Sequence, residues 1–163
     1  MTDISHAPAG YDCPFCAVMA GAGRGPRGTV QDDIVLRRDG VAVFIASIWW
    51  PNNPGHVLVI PEGHYESLYD IPNALGTPLL AATKLAAFAM KAAYGCDGIT
   101  TRQSNEPAGN QSVWHYHVHV YPRYDGDQIF RTSGRQTTAA ERAPYAASLR
   151  AAIDGLSPTF DWS

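Results

Sequence analysis

The sequence predicts an α+β domain built on an antiparallel sheet, and three observations predict it. Asp39-Gly40 separates two short apolar, β-branched runs, as a two-residue hairpin turn does. One long stretch of Ala and Leu has helical spacing and stops at a glycine, Gly95. Near the C-terminus, Thr138-x-x-Glu141 is a capping box that opens a second, Ala-rich helix.

Taken in order, residues 21–28 are glycine-rich with Pro26 among them and read as a loop. This is not a phosphate loop, because Thr29 and Val30 lead into strand-like sequence where Gly-Lys-Ser/Thr would have to open a helix. Residues 34–37 and 41–48 form the hairpin strands. A concentrated turn, Pro51-Asn52-Asn53-Pro54-Gly55, precedes a third strand over 56–60, which Pro61 ends. The long helix covers 75–94, with Leu79, Ala82, Ala86, Met90 and Tyr94 on one face; its Met and Phe residues read as core. A fourth strand follows over 98–103 and a fifth over 113–121. The C-terminal helix is expected to be reset by Pro144 and to stop near Gly155. No internal repeat or linker interrupts the chain.

At 163 residues, 45% hydrophobic and 17% charged with a net charge of −3, the composition is that of one globular domain. We expect it to occupy 1–163, with a core over about 12–153 and a flexible N-terminal tail over 1–10. No apolar run approaches the ~20 residues of a spanning helix, so no membrane is expected. Residues 1–10 lack the basic-then-apolar pattern of a secretory signal, which gives a cytoplasmic expectation. A pI near 6.0 and 12 scattered Lys and Arg argue against a nucleic-acid surface, though an anionic small molecule can still bind locally.

Three cysteines are present, and Cys13 and Cys16 form a Cys-x-x-Cys. In a reducing compartment that spacing points to metal or redox chemistry rather than a structural disulfide. Cys96 stands alone and reads as a small, semi-buried apolar residue.

Five of the six histidines fall in two windows: His56 and His64, then His115, His117 and His119. If 113–121 is a strand, its period of two puts the three clustered imidazoles on one face and Tyr116, Val118 and Val120 on the other. Burying a polar ring without a partner costs on the order of 1–3 kcal/mol, so three together require a use. Two chemistries fit: coordination of a catalytic metal by His115, His117 and His119, or attack on phosphorus by one imidazole while its neighbours fix its tautomer and move protons. Spacing alone does not choose between them.

The run Asn110-Gln111-Ser112-Val113-Trp114-His115-Tyr116-His117-Val118-His119-Val120-Tyr121 closely resembles the signature of the histidine triad (HIT) family, Gly-Gln-Ser/Thr-Val-x-His-x-His-x-His. Pro54-Gly55-His56-Val57-Leu58-Val59-Ile60-Pro61, then His64, and the earlier Cys13-Pro14-Phe15-Cys16 occur in the same order as in that family. The resemblance covers about 12–153. It implies an α+β fold, an antiparallel β-meander with one long central helix and a C-terminal helix, commonly in a homodimer. It also implies action on nucleoside phosphoramidates, dinucleoside polyphosphates or other nucleotidyl conjugates.

Carried over by residue, the resemblance makes His117 the nucleophile, held through its other nitrogen by a backbone carbonyl. His119 positions it and contacts the phosphate, and His56 supports the proton relay. Asn105, Gln111 and Ser112 match phosphate-contacting or leaving-group positions. In the zinc-containing branch, the ligands match Cys13, Cys16, His64 and His115, a closed Cys₂His₂ set for structural Zn²⁺. The chain departs from the pattern at three places. Ala46 stands where an acid usually grips the ribose, Asn110 replaces a glycine, and the loop carrying Trp49 and Trp50 is lengthened. Two other readings stay open: a metal-dependent hydrolase or oxygenase using the triad as ligands, and a nucleotide-binding protein without turnover.

Overall fold

Asp39 and Gly40 both take left-handed backbone angles, φ 50° and 76°, as the tightest hairpin turns require if they are to match strand twist. The turn joins β1 (Ile34–Arg38) to β2 (Val41–Ile45). In the computed structural model, which describes residues 4–22 and 28–163, most of the glycine-rich loop expected over 21–28 lies outside the described residues. Pro14 at the first helical position starts a short helix that sequence periodicity did not announce, α1 (Pro14–Met19).

The strand expected over 41–48 is cut at Ile45. The chain peels away where Ser47 O accepts from both the N–H and the hydroxyl of Thr137. It then forms β3 (Ile48–Trp49), which pairs with β7 (Arg135–Gln136) as a separate two-stranded sheet. The main sheet continues with β4 (Val57–Pro61), β5 (Gly98–Gln103) and β6 (Val118–Arg123) in the order β1-β2-β4-β6-β5, antiparallel throughout. β1, β2 and β4 are a meander. β6 inserts between β4 and β5, so those two run parallel, and the connection between them needs a crossover helix. That helix is α2 (Gly76–Tyr94), capped by Gly95 in the left-handed region at φ 62°.

The strand expected over 113–121 begins only at Val118. β5 ends at Gln103, opposite Val118, so earlier residues have no partner there. Instead the N–H of Tyr116 donates to Tyr65 O at 2.6 Å. His115 and His117 are therefore loop residues, yet the expected alternation carries through them. Tyr116, Val118 and Val120 pack on the α2 side of the sheet, while His115 and His117 stand against Phe15, and His117 and His119 line one pocket, on the other side. The C-terminal helix, α3 (Ala139–Leu156), runs unbroken through Pro144. Its capping box forms as expected, with the Glu141 N–H donating to Thr138 Oγ1 and the Thr138 N–H to Glu141 Oε2.

Both faces of the sheet are covered, which is why every residue of β2 and β4 is buried. Val43, Ile45, Val57, Val59 and Val120 pack on Leu85, Met90, Leu149 and Ile153 of α2 and α3. Ala42, Phe44, Leu58 and Ile60 pack on Cys13, Phe15 and Val113. Arg142 of α3 is wholly buried and forms a bidentate pair with Asp33, at 2.8 and 2.9 Å, while also donating to Gly28 O and Thr137 O. Every branch of its guanidinium is used. The pair fixes Thr137, and through it the turn at Ser47.

A second buried carboxylate closes the loop after β6. Asp127, its side chain 1% exposed, accepts from Arg123 Nε and Nη2, Asn53 Nδ2 and the N–H groups of Tyr124 and Ile129. The Arg123 guanidinium, followed by Asn53 and the two backbone donors, holds this carboxyl well below the usual carboxylate range in spite of burial. A group lowered in the folded state contributes fully above its unfolded value of about 3.9, and the contribution is lost as pH falls through the folded one. Asp127→Asn is therefore expected to cost about 3–5 kcal/mol at pH 7. In thermal melts the gap between wild type and variant should narrow below about pH 4; a gap independent of pH would refute the assignment.

Candidate active site

Two histidine assemblies lie back to back at the N-terminal end of β6. In the first, the Nδ1–H of His117 donates to the carbonyl of His115 at 2.7 Å. A carbonyl can only accept, so in neutral His117 the proton sits on Nδ1 and the lone pair on Nε2. Beside it, the Nδ1–H of His56 donates to Ile48 O at 3.2 Å, which leaves His56 Nε2 to accept from Nδ1–H of His119 at 2.9 Å. The His117 and His119 ring centroids are 4.9 Å apart. Burial pushes the His56 imidazole down to about 3, with the charge of His117 adding to it. His119 is pushed down to about 2, again mainly by burial and then by His56, His117 and Arg102. The relay is thus neutral near pH 7.

His56, His117 and His119 open onto one pocket, together with Ser112. The rest of its wall is mostly apolar: Phe15, Phe44, Leu58 and Val113 on the sheet side, and Ala46, Ile48 and Trp50 across from them. The two adjacent tryptophans have separate fates. Trp49 is buried edge-on against Tyr145, at 4.9 Å, while Trp50 lines the pocket edge-on to Tyr121 and His56. Phe15 of α1 stands edge-on to His117 at 5.4 Å and to His115 at 5.6 Å, which separates the two assemblies.

In the second assembly Cys13, Cys16, His64 and His115 bring one donor atom each within 4.8 Å of one another. The Nε2–H of His115 donates to Pro61 O at 2.9 Å, which aims Nδ1 at the thiols. Nδ1 of His115 lies 3.3 Å from Cys13 Sγ and 3.7 Å from Cys16 Sγ, and Nδ1 of His64 lies 3.4 Å from Cys16 Sγ. Sulfur and nitrogen ligands on a tetrahedral zinc stand about 3.6 Å apart, so the set fits a closed metal site. Both ring nitrogens of His115 are thereby used, and the triad does not converge as a three-histidine ligand set. The geometry sets aside the catalytic-metal alternative at that position.

Asn105 and Gln111 are placed differently from Ser112. Asn105 Oδ1 accepts from the Leu68 N–H, and its amide exchanges hydrogen bonds with Gln103. Gln111 Nε2 donates to Glu66 O and Val113 O, and its Oε1 accepts from the Glu106 N–H. Both side chains hold the loop that presents Ser112, and neither is part of the pocket wall. Asn110, where a glycine is usual, sits at φ 67°, a left-handed angle that asparagine tolerates better than other side-chain-bearing residues. The sequence reading missed Phe15 and Thr29, which also line the pocket; the Pro14 helix-start signal would have placed the first. The N-terminal segment also contributes contacts, with Ser5 Oγ and the His6 N–H both donating to Glu66 at 2.5 Å.

A buried histidine relay facing a pocket on one face of a five-stranded antiparallel sheet, with a Cys₂His₂ cluster behind it, defines a histidine triad protein. The HIT domain family model matches residues 27–126, and the chain belongs to that family. It is 32% identical over 115 residues to Protein hit of Bacillus subtilis, covering 69% of this chain and 72% of that protein. It is also 31% identical over 108 residues to an AP-4-A phosphorylase of Mycobacterium tuberculosis, covering 66% of this chain and 55% of that one. Among solved structures, a zinc-bound histidine triad family protein from Mycobacterium smegmatis superposes with a TM-score of 0.73 at 26% identity, covering 90% of this chain and 96% of that one. No helix among the described residues is long and apolar enough to cross a membrane.

Proposed function

We propose that the protein is a hydrolase or nucleotidyl transferase that cleaves a phosphoramidate or phosphoanhydride bond at the α-phosphorus of a nucleotide, through a nucleotidyl-His117 intermediate. The observation that carries this is the 2.7 Å bond from His117 Nδ1–H to the His115 carbonyl, which leaves a nucleophilic lone pair on Nε2. The similarity to an AP-4-A phosphorylase supports a nucleotide substrate.

In the first step His117 Nε2 bonds to the α-phosphorus, and the bond to the leaving group breaks with its electron pair. In the second, water adds to phosphorus, the N–P bond returns its pair to Nε2, and the water's proton passes to the lone pair of His119. The nucleotidyl phosphate beside His119 favours that protonation. Ser112 supplies a donor to the phosphoryl oxygens, with Asn105 and Gln111 positioning it through the loop they brace. Phe44, Leu58 and Trp50 receive the planar part of the nucleotide. We assign zinc to Cys13, Cys16, His64 and His115, where it supplies a rigid crosslink between α1, the loop after β4 and the loop that carries the triad.

The test is a phosphorus-NMR turnover screen of the full chain against adenosine and guanosine phosphoramidates, dinucleoside tri- and tetraphosphates and adenylyl sulfate. Quenched samples are examined by mass spectrometry for a nucleotidyl increment on the His117 peptide. Turnover with that adduct is expected. Tight nucleotide binding with neither turnover nor adduct would replace this reading with a binding role.

A further inference from the structure

Register across the sheet puts a positive charge beside the reacting centre. Arg102 on β5 pairs with His119 on β6, His119 with Leu58 on β4, and Leu58 with Phe44 on β2. Residues directly opposite one another on antiparallel strands project from the same face, so these four side chains form one row. Phe44 and Leu58 wall the pocket on one flank of His119. Arg102 occupies the other flank, exposed, close enough for its charge to act on both His119 and Tyr121. Among the described residues no carboxylate forms an ion pair with it.

The proton arrangement of the relay bears on what can leave. Ile48 O accepts from His56, and His56 Nε2 in turn accepts from His119 Nδ1–H. Neutral His119 therefore offers a lone pair at Nε2 and no proton. A departing amine needs a proton as its bond to phosphorus breaks. A departing phosphate, polyphosphate or sulfate keeps the electron pair on oxygen and needs a cation instead.

Resting on the nucleotidyl-transfer reading, we infer that Arg102 is the leaving-group subsite and that the preferred substrates release an oxyanion rather than an amine. In this step the N–P bond forms at His117 Nε2, the P–O bond to the leaving group breaks, and the electron pair stays on the departing oxygen. The guanidinium of Arg102 receives that oxyanion. The nucleotide portion stays on the Phe44 and Leu58 side.

Two measurements on the full chain test this. The first is the ratio of kcat/KM for diadenosine tetraphosphate over that for an adenosine phosphoramidate of an aliphatic amine, in wild type, Arg102→Gln and Arg102→Lys. A charge-assisted contact of this kind corresponds to about 10- to 100-fold, so the ratio should fall by that factor in Arg102→Gln and largely survive in Arg102→Lys. An unchanged ratio in Arg102→Gln overturns the inference. The second, independent of turnover, is calorimetric binding of AMP and of adenosine α,β-methylene diphosphate. Wild type should prefer the diphosphate by about 10-fold or more, and Arg102→Gln should level the two. If neither substrate turns over, the nucleotidyl-transfer reading fails, and this binding preference alone decides Arg102: its loss in Arg102→Gln upholds an anion subsite and its persistence refutes one.

Discussion

His117→Ala is expected to lower turnover by about 10⁴- to 10⁶-fold, the scale seen when a covalent nucleophile is removed, and to abolish the nucleotidyl adduct. His117 is 4% exposed and sits edge-on to Phe15, so truncation leaves a small void and an unpaired His115 carbonyl. That costs about 1–3 kcal/mol, which the fold tolerates. Neither ring nitrogen of His117 belongs to the Cys₂His₂ set, so bound zinc should stay at the wild-type level. His117→Asn keeps a side-chain donor toward His115 O while removing the imidazole, and should be as inactive as the alanine variant. Substitutions in the relay should cost less. His119→Ala removes an acid–base and positioning group, worth about 10²- to 10⁴-fold. A folded, zinc-loaded His117→Ala that kept more than about a hundredth of wild-type turnover would move the nucleophile elsewhere.

Local chemistry made the elements legible: Asp39-Gly40, Gly95 and the Thr138–Glu141 box act within a few residues of themselves, and each does what its sequence predicts. The triad was legible as a motif and as a shared face, but not in how its members divide their work. Period-two alternation separates the histidines from Tyr116, Val118 and Val120 even though β6 pairs only from Val118, but it does not reveal that His115 turns to the Cys₂His₂ set while His117 and His119 share the pocket. The Arg142–Asp33 pair joins residues 109 positions apart, and no pattern along the chain announces it. The same applies to Arg102, whose meaning depends on which residue of β6 it faces. Gln111 and Asn105 show the converse: motif position alone does not say whether an amide points at a ligand or at its own loop.

Cys13→Ser is expected to release the metal, lower the melting temperature by about 10 °C and lower turnover with it. A ligand held at about a thousand times its dissociation constant contributes about 4 kcal/mol to stability, and a chain of this size loses about 2–4 °C per kcal/mol. The loss of turnover follows from the double duty of one residue. The His115 side chain is a ligand of the Cys₂His₂ set, while its carbonyl is the acceptor that fixes the tautomer and direction of His117. Freeing the imidazole lets residues 113–117 relax, and the nucleophile loses its bearing although Cys13 itself is not part of the pocket wall. Exchange of zinc for cobalt(II), which accepts the same tetrahedral nitrogen and sulfur donors, separates this account from one in which the metal acts as a Lewis acid. A crosslink should leave kcat nearly unchanged on exchange and restore the melting temperature in the same titration. A kcat that followed the identity of the metal, at constant melting temperature, would mean that substrate reaches the cluster despite the Phe15 ring between it and His117.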